Sequence, residues 1–178
     1  SYGIAVLLYN TRDYFGLDKR IRCLAPDYRT GVETLVGSLI DRGHERIGFI
    51  PNMYYPNICQ RGNHRFDGYI RAFEKRGITP NLAYICDCNT NDDLDAILQH
   101  VGEMFHSRAI EPPTALYSDE SVIVGSVLKH LQDIGLRVPE DVSLVGSSYS
   151  TISRLLTPRI TSVGIKPEIL AQKAVDMM

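Results

Sequence analysis

The chain of 178 residues is long enough to bury one substantial hydrophobic core, either as a single domain or as two small lobes. Its composition, with 44% hydrophobic and 22% charged residues, is ordinary for a globular protein. The formal net charge of −2 provides no overall positive field that would attract nucleic acid. No apolar run approaches the roughly 18 residues of a membrane span, and no secretory leader opens the chain. We therefore expect no membrane association and a cytoplasmic location.

Short apolar runs typical of buried strands alternate along the chain with apolar stripes at helical spacing. The predicted strands lie at residues 4–8, 46–50, 82–86, 114–118, 141–146 and 159–163. The predicted helices carry the stripes Val32–Ile40, Phe66–Phe73, Leu94–Phe105 and Val124–Leu131, and a fifth helix begins near Ala171. Gly43, Gly77 and Gly135 follow three of these stripes, as expected of left-handed helix caps.

This alternation with short loops predicts an α/β fold, in which a parallel sheet is flanked by helices on both faces. In such sheets the ligand crevice lies beyond the carboxyl ends of the strands. The polar residues that follow predicted strands are Asn10, Asn52, Asp87, Ser118 to Glu120, Ser147 and Ser148. Their positions after predicted strands make these residues candidates for ligand binding, independently of any motif.

The serine after the strand at 141–146 raises the question of a nucleophile. The segment Gly146-x-Ser148-x-Ser150 lacks the second glycine of a hydrolase elbow. No histidine follows Ser148, although the triad order of that class requires one. Two interpretations remain: Ser148 lines a ligand cleft, or its hydroxyl bonds to its own backbone in a turn.

The spacing of the glycine, histidine and cysteine residues does not indicate a metal site or a phosphate site. No glycine-rich phosphate loop occurs, and the five histidines lack ligand spacing. The cysteines, including Cys86-x-Cys88, lack the second close pair of a zinc site and are interpreted as reduced structural thiols. We predict no metal and no cofactor, and we expect His44, just after Gly43, to form hydrogen bonds within a loop.

Arg65 and Asp119 each admit two interpretations. Arg65 stands near the start of a predicted helix, where its guanidinium offers a planar donor fork for carboxylates or vicinal hydroxyls. The alternative is a solvated surface arginine. Asp119 is either a charge at a helix N-terminus or an acceptor for ligand hydroxyls.

Several segments together resemble the lactose/galactose-repressor (LacI/GalR) family of bacterial transcription regulators. The segments are APDYRTGVETLVGSLIDRGHERIGFI, RFDGYIRAFEKRGI, PTALYSDESVIVGSVLKHLQDIGLRVPEDVSLVGSS and LTPRITSVGIKPEILAQKAVDMM. They span nearly all of the chain, and G-L-R-V-P-E-D-V-S-x-V-G is a highly specific signature. The resemblance implies a two-lobed sensor of the type I periplasmic binding protein fold, mainly its C-terminal lobe. Residues 1–26 would end the N-terminal lobe, 27–163 would form the C-terminal lobe, and 164–178 would start a truncated helix.

The resemblance also implies roles for individual residues. Arg65 matches the family's effector-contacting arginine, Asp119 matches an effector-contacting asparagine or aspartate, and Ser148 matches an aspartate that accepts ligand hydroxyl bonds. Asn10 matches an aspartate of the first lobe, and Asn52 follows a strand at the same edge. Because serine replaces an aspartate, we consider a phosphorylated or acidic effector, although a sugar held by Arg65 and Asp119 is the default.

The implied function is a non-enzymatic sensor of a small molecule, such as a sugar or sugar derivative, within a DNA-binding regulator. Effector binding in the inter-lobe cleft would control affinity for operator DNA, which a domain absent from this chain would contact. Family members dimerise through segments that correspond to 121–131 and 149–156, so we expect a homodimer. The alternative is a secreted solute-binding protein of the same fold.

Overall fold

A computed structural model describes residues 7–9, 21–51, 63–86, 94–147 and 154–177 of the protein. The chain forms two compact units. One consists of residues Ser1–Asp27 and Ile165–Met178, and the other of Tyr28–Gly164. None of the described helices is both long enough and apolar enough to cross a membrane.

The smaller unit contains a pair of parallel strands and one helix. Strand β1 (Leu7–Tyr9) pairs in register with β2 (Arg22–Leu24), so that Leu8 lies opposite Cys23. Near the end of the chain, Pro167 and the following residues begin a helix, as predicted. This helix, the last of those described, is α5 (Pro167–Met177). The Arg22 guanidinium donates a hydrogen bond to the carbonyl of Met177, which links β2 to the end of α5.

The larger unit is built on a parallel sheet of four described strands in the order β3-β4-β5-β6. These strands are β3 (Ile47–Ile50), β4 (Ala115–Asp119), β5 (Ser143–Ser147) and β6 (Thr161–Ser162). All residues of β3 and β4 are buried, which agrees with the apolar sequence of β3 and of the first three residues of β4. The last two residues of β4, Ser118 and Asp119, are buried although they are polar. The prediction of a parallel sheet is confirmed.

Helices cover both faces of this sheet. Their bounds are α1 (Tyr28–Ile40), α2 (His64–Glu74), α3 (Leu94–His106) and α4 (Ser121–Asp133). The first pair shares one hydrophobic core with alternate residues of the sheet, such as Phe49 and Tyr117. The second pair shares another core with the opposite residues, such as Ile50 and Leu116. The predicted two-sided α/β architecture is therefore confirmed.

The predicted helix ends are also correct. Gly43, Gly77 and Gly135 follow α1, α2 and α4 with φ angles of 92°, 68° and 85°. These values lie in the left-handed region, which glycine adopts at little cost because it has no Cβ.

The prediction of a strand at residues 82–86 is wrong. Leu82–Tyr84 form a single turn of 3-10 helix, and only Ile85 makes an isolated parallel bridge, to Phe49. The physical reason is local, because the Asn81 side chain accepts a hydrogen bond from the Ala83 amide at 3.0 Å and caps the turn. The apolar run is buried at Tyr84, Ile85 and Cys86 without extended pairing.

The strands of a parallel sheet end at one edge, and register determines which residues meet there. Asp119 of β4 lies opposite Ser147 of β5, and Ser118 lies opposite Ile50 of β3. Asp119 is followed at once by the start of α4. This carboxyl edge is where the fold class predicts a ligand site.

Candidate functional site

Arg65 enters the carboxyl edge from the first turn of α2. The side chain of Asn63 accepts hydrogen bonds from the amides of Arg65 and Phe66, at 3.0 and 3.3 Å. This N-cap satisfies two amides that would otherwise lack partners, and it fixes where α2 begins. The sequence thereby sets the position of the Arg65 backbone relative to the sheet.

The Arg65 side chain is held on two sides. Its Nε lies 2.8 Å from Oδ1 of Asp119, and the guanidinium carbon lies 3.7 Å from the ring centroid of Tyr28, the first residue of α1. The Nε–H bond is not aligned with the carboxylate, so the Asp119 contact is an ion pair and not a hydrogen bond. The Arg65 side chain is 17% exposed and that of Asp119 only 1%. The alternative of a solvated surface arginine does not describe this geometry.

A chain of hydroxyl groups reaches the same carboxylate from the sheet. The Tyr117 hydroxyl donates to Ser147 Oγ at 2.7 Å, and the Ser147 hydroxyl donates to Asp119 Oδ1 at 2.6 Å. Tyr117 and Asp119 are two residues apart on β4 and therefore share a face of the sheet. Burial, and then the charge of Asp119, raise the pKa of Tyr117 well above its ordinary value, so the phenol stays protonated as a donor.

Glu120 lies beside this network in an unusual backbone conformation. With φ 77° and ψ 141°, it is the only non-glycine residue with a positive φ in the described part of the chain. It is the N-cap of α4, yet its side chain makes no capping hydrogen bond. Burial and then the charge of Asp119 raise the pKa of Glu120, while Arg65 acts in the opposite direction. Backbone strain of this kind is concentrated at functional sites.

Of the five residues predicted to form the ligand contacts, the structure brings together two, Arg65 and Asp119. Asn10, Asn52 and Ser148 lie outside the described residues. Asp119 is the last residue of β4, accepts a hydrogen bond from Ser147 and directly precedes Glu120, the N-cap of α4.

Sequence reasoning missed the partners that hold this pair in place. Ser147 was nominated only by its position after a strand, and Tyr117 and Tyr28 were not considered. Period-two alternation along β4 could have placed the Tyr117 hydroxyl beside Asp119. Nothing in the local sequence points to Tyr28, because its contact with Arg65 joins two different helices.

Groups suited to bind a metal are not clustered here. Within the described ranges, no three His, Cys, Asp or Glu side chains are arranged to hold a metal ion. Cys86 is buried and Cys23 half-buried, both as free thiols. His44 lies at the other end of the sheet, with Nδ1 2.9 Å from Thr114 Oγ1 and Nε2 3.3 Å from Ser143 Oγ. His44 forms hydrogen bonds as predicted, but its partners lie at the starts of two strands and not within its own loop.

Comparison with known proteins agrees with this architecture. The family described as a periplasmic binding protein-like domain matches residues 36–178. The HTH-type transcriptional repressor PurR of Proteus mirabilis is 31% identical over 142 residues, which are 79% of this chain and 39% of that protein. Catabolite control protein A of Priestia megaterium is 30% identical over 139 residues, which are 77% of this chain and 40% of that protein. The chain therefore spans about two fifths of the length of these curated relatives.

Solved structures show the same fold. The crystal structure of a LacI family transcriptional regulator from Mycobacterium smegmatis aligns with a TM-score of 0.74 and 25% identity, covering 98% of this chain and 60% of that one. The Escherichia coli transcriptional repressor ascG aligns with a TM-score of 0.75 at 21% identity, covering 99% of this chain and 61% of that one. PurR and the Mycobacterium smegmatis protein are named as regulators of transcription and not as enzymes. The chain belongs to the LacI/GalR family of bacterial transcriptional regulators and has the periplasmic binding protein-like fold of that family's core domain.

Proposed function

We propose that this chain is the small-molecule sensing part of a transcriptional regulator and that the effector binds at the carboxyl edge of the β3–β6 sheet. The observation that carries the proposal is the placement of Arg65. Its Nε faces Asp119 and its planar face lies on Tyr28. Within the described residues, no side-chain or backbone acceptor engages its two terminal nitrogens.

A guanidinium held in this way presents two parallel N–H groups to a pair of oxygen atoms. The vicinal hydroxyls of a sugar or sugar derivative supply such a pair. Asp119 contributes an acceptor at the same place, and the ion pair limits the motion of both side chains. Asn10, Asn52 and Ser148 complete the proposed set of ligand contacts.

The regulatory step that we propose follows the family resemblance. In the full-length protein, an effector bound between two lobes would change the affinity of a separate domain for operator DNA. Residues 27–163 would form the C-terminal lobe, and residues 1–26 and 164–178 would belong to the rest of the sensor. We propose a cytoplasmic homodimer, because its relatives are transcriptional repressors and α4 exposes apolar surface. The alternative of a secreted solute-binding protein has less support, since PurR and catabolite control protein A are regulators.

The test is a titration of the full-length protein with free sugars, sugar acids and sugar phosphates. A ligand that binds only the folded state raises the melting temperature. We expect at least one of these compounds to raise it in the parent and in Arg71→Ala, but not in Arg65→Ala. Arg71 is a matched control because it lies on the same helix and pairs with Glu33 instead.

The same compounds are then added to complexes of the protein with DNA from the region upstream of its own gene, followed by fluorescence anisotropy. A compound that stabilises the protein through Arg65 should also change DNA affinity. The proposal is overturned if no compound changes DNA binding, or if Arg65→Ala responds as the parent does.

A further inference from the structure

Two hydroxyl groups to which the sequence assigned no ligand contact, those of Tyr117 and Ser147, extend the Arg65–Asp119 pair into the sheet. A carboxylate can only accept hydrogen bonds, so the single proton of Ser147 must point to Asp119. The Ser147 oxygen then accepts from Tyr117, which directs the phenol proton as well. The negative charge at one end therefore fixes the direction of both O–H bonds.

This hydroxyl chain is anchored in the core. Tyr117 is fully buried, and its ring stacks on Phe49 with the centroids 5.3 Å apart. Phe49 also contacts Phe66, the residue after Arg65, at a centroid distance of 5.4 Å. Ser147 is held by its register with Asp119 in the sheet. The same aromatic cluster thus supports both the hydroxyl chain and the first turn of α2.

The charge of Arg65 is balanced within the protein. Asp119 is only 1% exposed, and its Oδ1 is held by the Ser147 hydroxyl beside the Arg65 Nε. Glu120, the next residue, brings a second carboxyl group to the same edge. A ligand that reaches Arg65 therefore meets N–H donors, but little uncompensated positive charge.

We propose that Tyr117 and Ser147 are positioning residues that hold Asp119 against Arg65, and that this arrangement selects an uncharged, oxygen-rich effector over an anionic one. This inference rests on the proposed function, because it concerns the same effector site. It also decides against the phosphorylated or acidic effector that the serine at position 148 suggested. Asp119 supplies the compensating charge that an aspartate at that position would have supplied.

The test uses inorganic phosphate as the anionic probe and follows the Nε–Hε NMR signal of Arg65, which is assigned by its loss in Arg65→Lys. Phosphate should leave this signal unchanged in the parent. Asp119→Asn removes the compensating charge, and this variant should bind phosphate at Arg65 at least about tenfold more tightly than the parent. A nearby opposite charge changes a proton-binding constant by about tenfold or more, and we expect an effect of at least that size on phosphate binding.

The hydroxyl chain is tested by Tyr117→Phe and Ser147→Ala. Both should shift the Arg65 signal and increase its response to phosphate, whereas Ser147→Thr keeps a hydroxyl and should behave as the parent. Tyr84→Phe is the matched control, since it removes a hydroxyl that donates to the Glu111 carbonyl at 2.8 Å, away from Arg65.

Two results would overturn the inference. The first is tight phosphate binding at Arg65 in the parent, equal to that of Asp119→Asn. The second is an identical Arg65 signal and phosphate response in Tyr117→Phe and Tyr84→Phe, which decides the question even where Asp119→Asn does not fold. If none of the sugars, sugar acids and sugar phosphates alters DNA binding, the proposed function is overturned and the phosphate result still stands.

Discussion

Gly68 of α2 lies directly against the backbone of Arg29 in α1. A Cβ atom added at Gly68 would come within 2.4 Å of the Arg29 carbonyl oxygen and 3.2 Å of its carbonyl carbon. Backbone atoms cannot swing aside as the end of a flexible side chain can. The close packing of α1 on α2, and hence the placement of Arg65 three residues before Gly68, therefore requires glycine here.

We expect Gly68→Ala to destabilise the protein by about 2 kcal/mol, within the usual range for overpacking. Helix propensity alone predicts that Gly68→Ala stabilises the protein, since alanine is favoured over glycine in helices by up to about 1 kcal/mol. Gly125→Ala in α4 is the matched control, because its Cβ would meet only Leu156 at an ordinary 3.5 Å. Urea denaturation at low protein concentration should show a lower free energy of unfolding for Gly68→Ala than for the parent, and no decrease for Gly125→Ala. Equal effects would contradict this account of α1–α2 packing.

Much of this arrangement could be predicted from sequence. The apolar stripes identified α1 and α4 because burial repeats with the helical period, and Val32, Val36 and Val127 are indeed fully buried. The segment RFDGYIRAFEKRGI, which contains Arg65 and Gly68, was identified by its resemblance to the family. The structure adds the physical reason for the glycine, which is contact with a helix distant in sequence.

One prediction failed because of a local contact, and two features of the site could not be predicted because they depend on contacts between elements. The segment 82–86 has the apolar composition of a strand, but the cap from Asn81 turned its first residues into a 3-10 turn. The pairing of Ser147 with Asp119 requires the strand register, which no single segment contains. Likewise, no local pattern indicates that Tyr28 lies under Arg65.

The Arg65–Asp119 pair should be strongly coupled in stability. Arg65→Ala leaves a nearly inaccessible carboxylate without its cation, and we expect a loss of about 3 kcal/mol, the lower end for a broken buried pair. Asp119→Asn in the Arg65→Ala background should recover most of this loss, since the unpaired charge is removed. Arg71→Ala, which breaks a half-exposed pair with Glu33, should cost less than about 1 kcal/mol. The free energies of unfolding are measured by urea denaturation. If the effects of Arg65→Ala and Asp119→Asn simply add in the double variant, the two residues are not coupled and the prediction is wrong.

Replacement of Glu120 by glycine should stabilise the protein. Its φ of 77° is strained for any residue with a Cβ, at about 1 to 3 kcal/mol. Glycine relieves the strain but loses more chain entropy on folding, so we expect a net gain of about 1 kcal/mol. Glu120→Ala is the control, because it removes the carboxylate and keeps the strain. In thermal unfolding, the glycine variant should have a higher melting temperature than the alanine variant. The reverse order would show that the backbone conformation of Glu120 is not strained.

The proposed dimer surface can be tested through apolar residues that the single chain leaves exposed. Val122 on α4 is 48% exposed and Leu155 is 77% exposed. A shallow groove at Val122 is also lined by Leu98 and by Leu156, the residue after Leu155. We expect Val122→Asp and Leu155→Asp to make the full-length protein monomeric in sedimentation velocity experiments, because a charge placed within an apolar interface is not compensated.

Leu82→Asp is the control for that experiment. Leu82 is 67% exposed but lies on the 3-10 turn, outside the two proposed segments. Its replacement should leave the dimer intact. A parent protein that is already monomeric at micromolar concentration would refute the dimer, as would dimers that survive both aspartate substitutions.

His44 should make the stability of the larger unit depend on pH. Its imidazole joins the loop after α1 to the starts of two strands, through Thr114 and Ser143. Burial, and then the charge of Arg42, lower the pKa of His44 below its ordinary value of 6.5. The folded state therefore binds this proton less readily than the unfolded state, so protonation favours unfolding.

The resulting stabilisation is complete above the unfolded pKa of about 6.5 and is lost as pH falls through the lower folded value. We expect the free energy of unfolding of the parent to fall more steeply between about pH 7 and pH 5 than that of His44→Gln, which cannot take up the proton. His106→Gln is the matched control, since His106 is exposed and bonds only within its own helix, to the Gly102 carbonyl. Urea denaturation across this pH range measures the difference. Parallel pH profiles for the parent and His44→Gln would show that burial of His44 does not oppose its protonation, because a neutral imidazole would then have no advantage in the folded state.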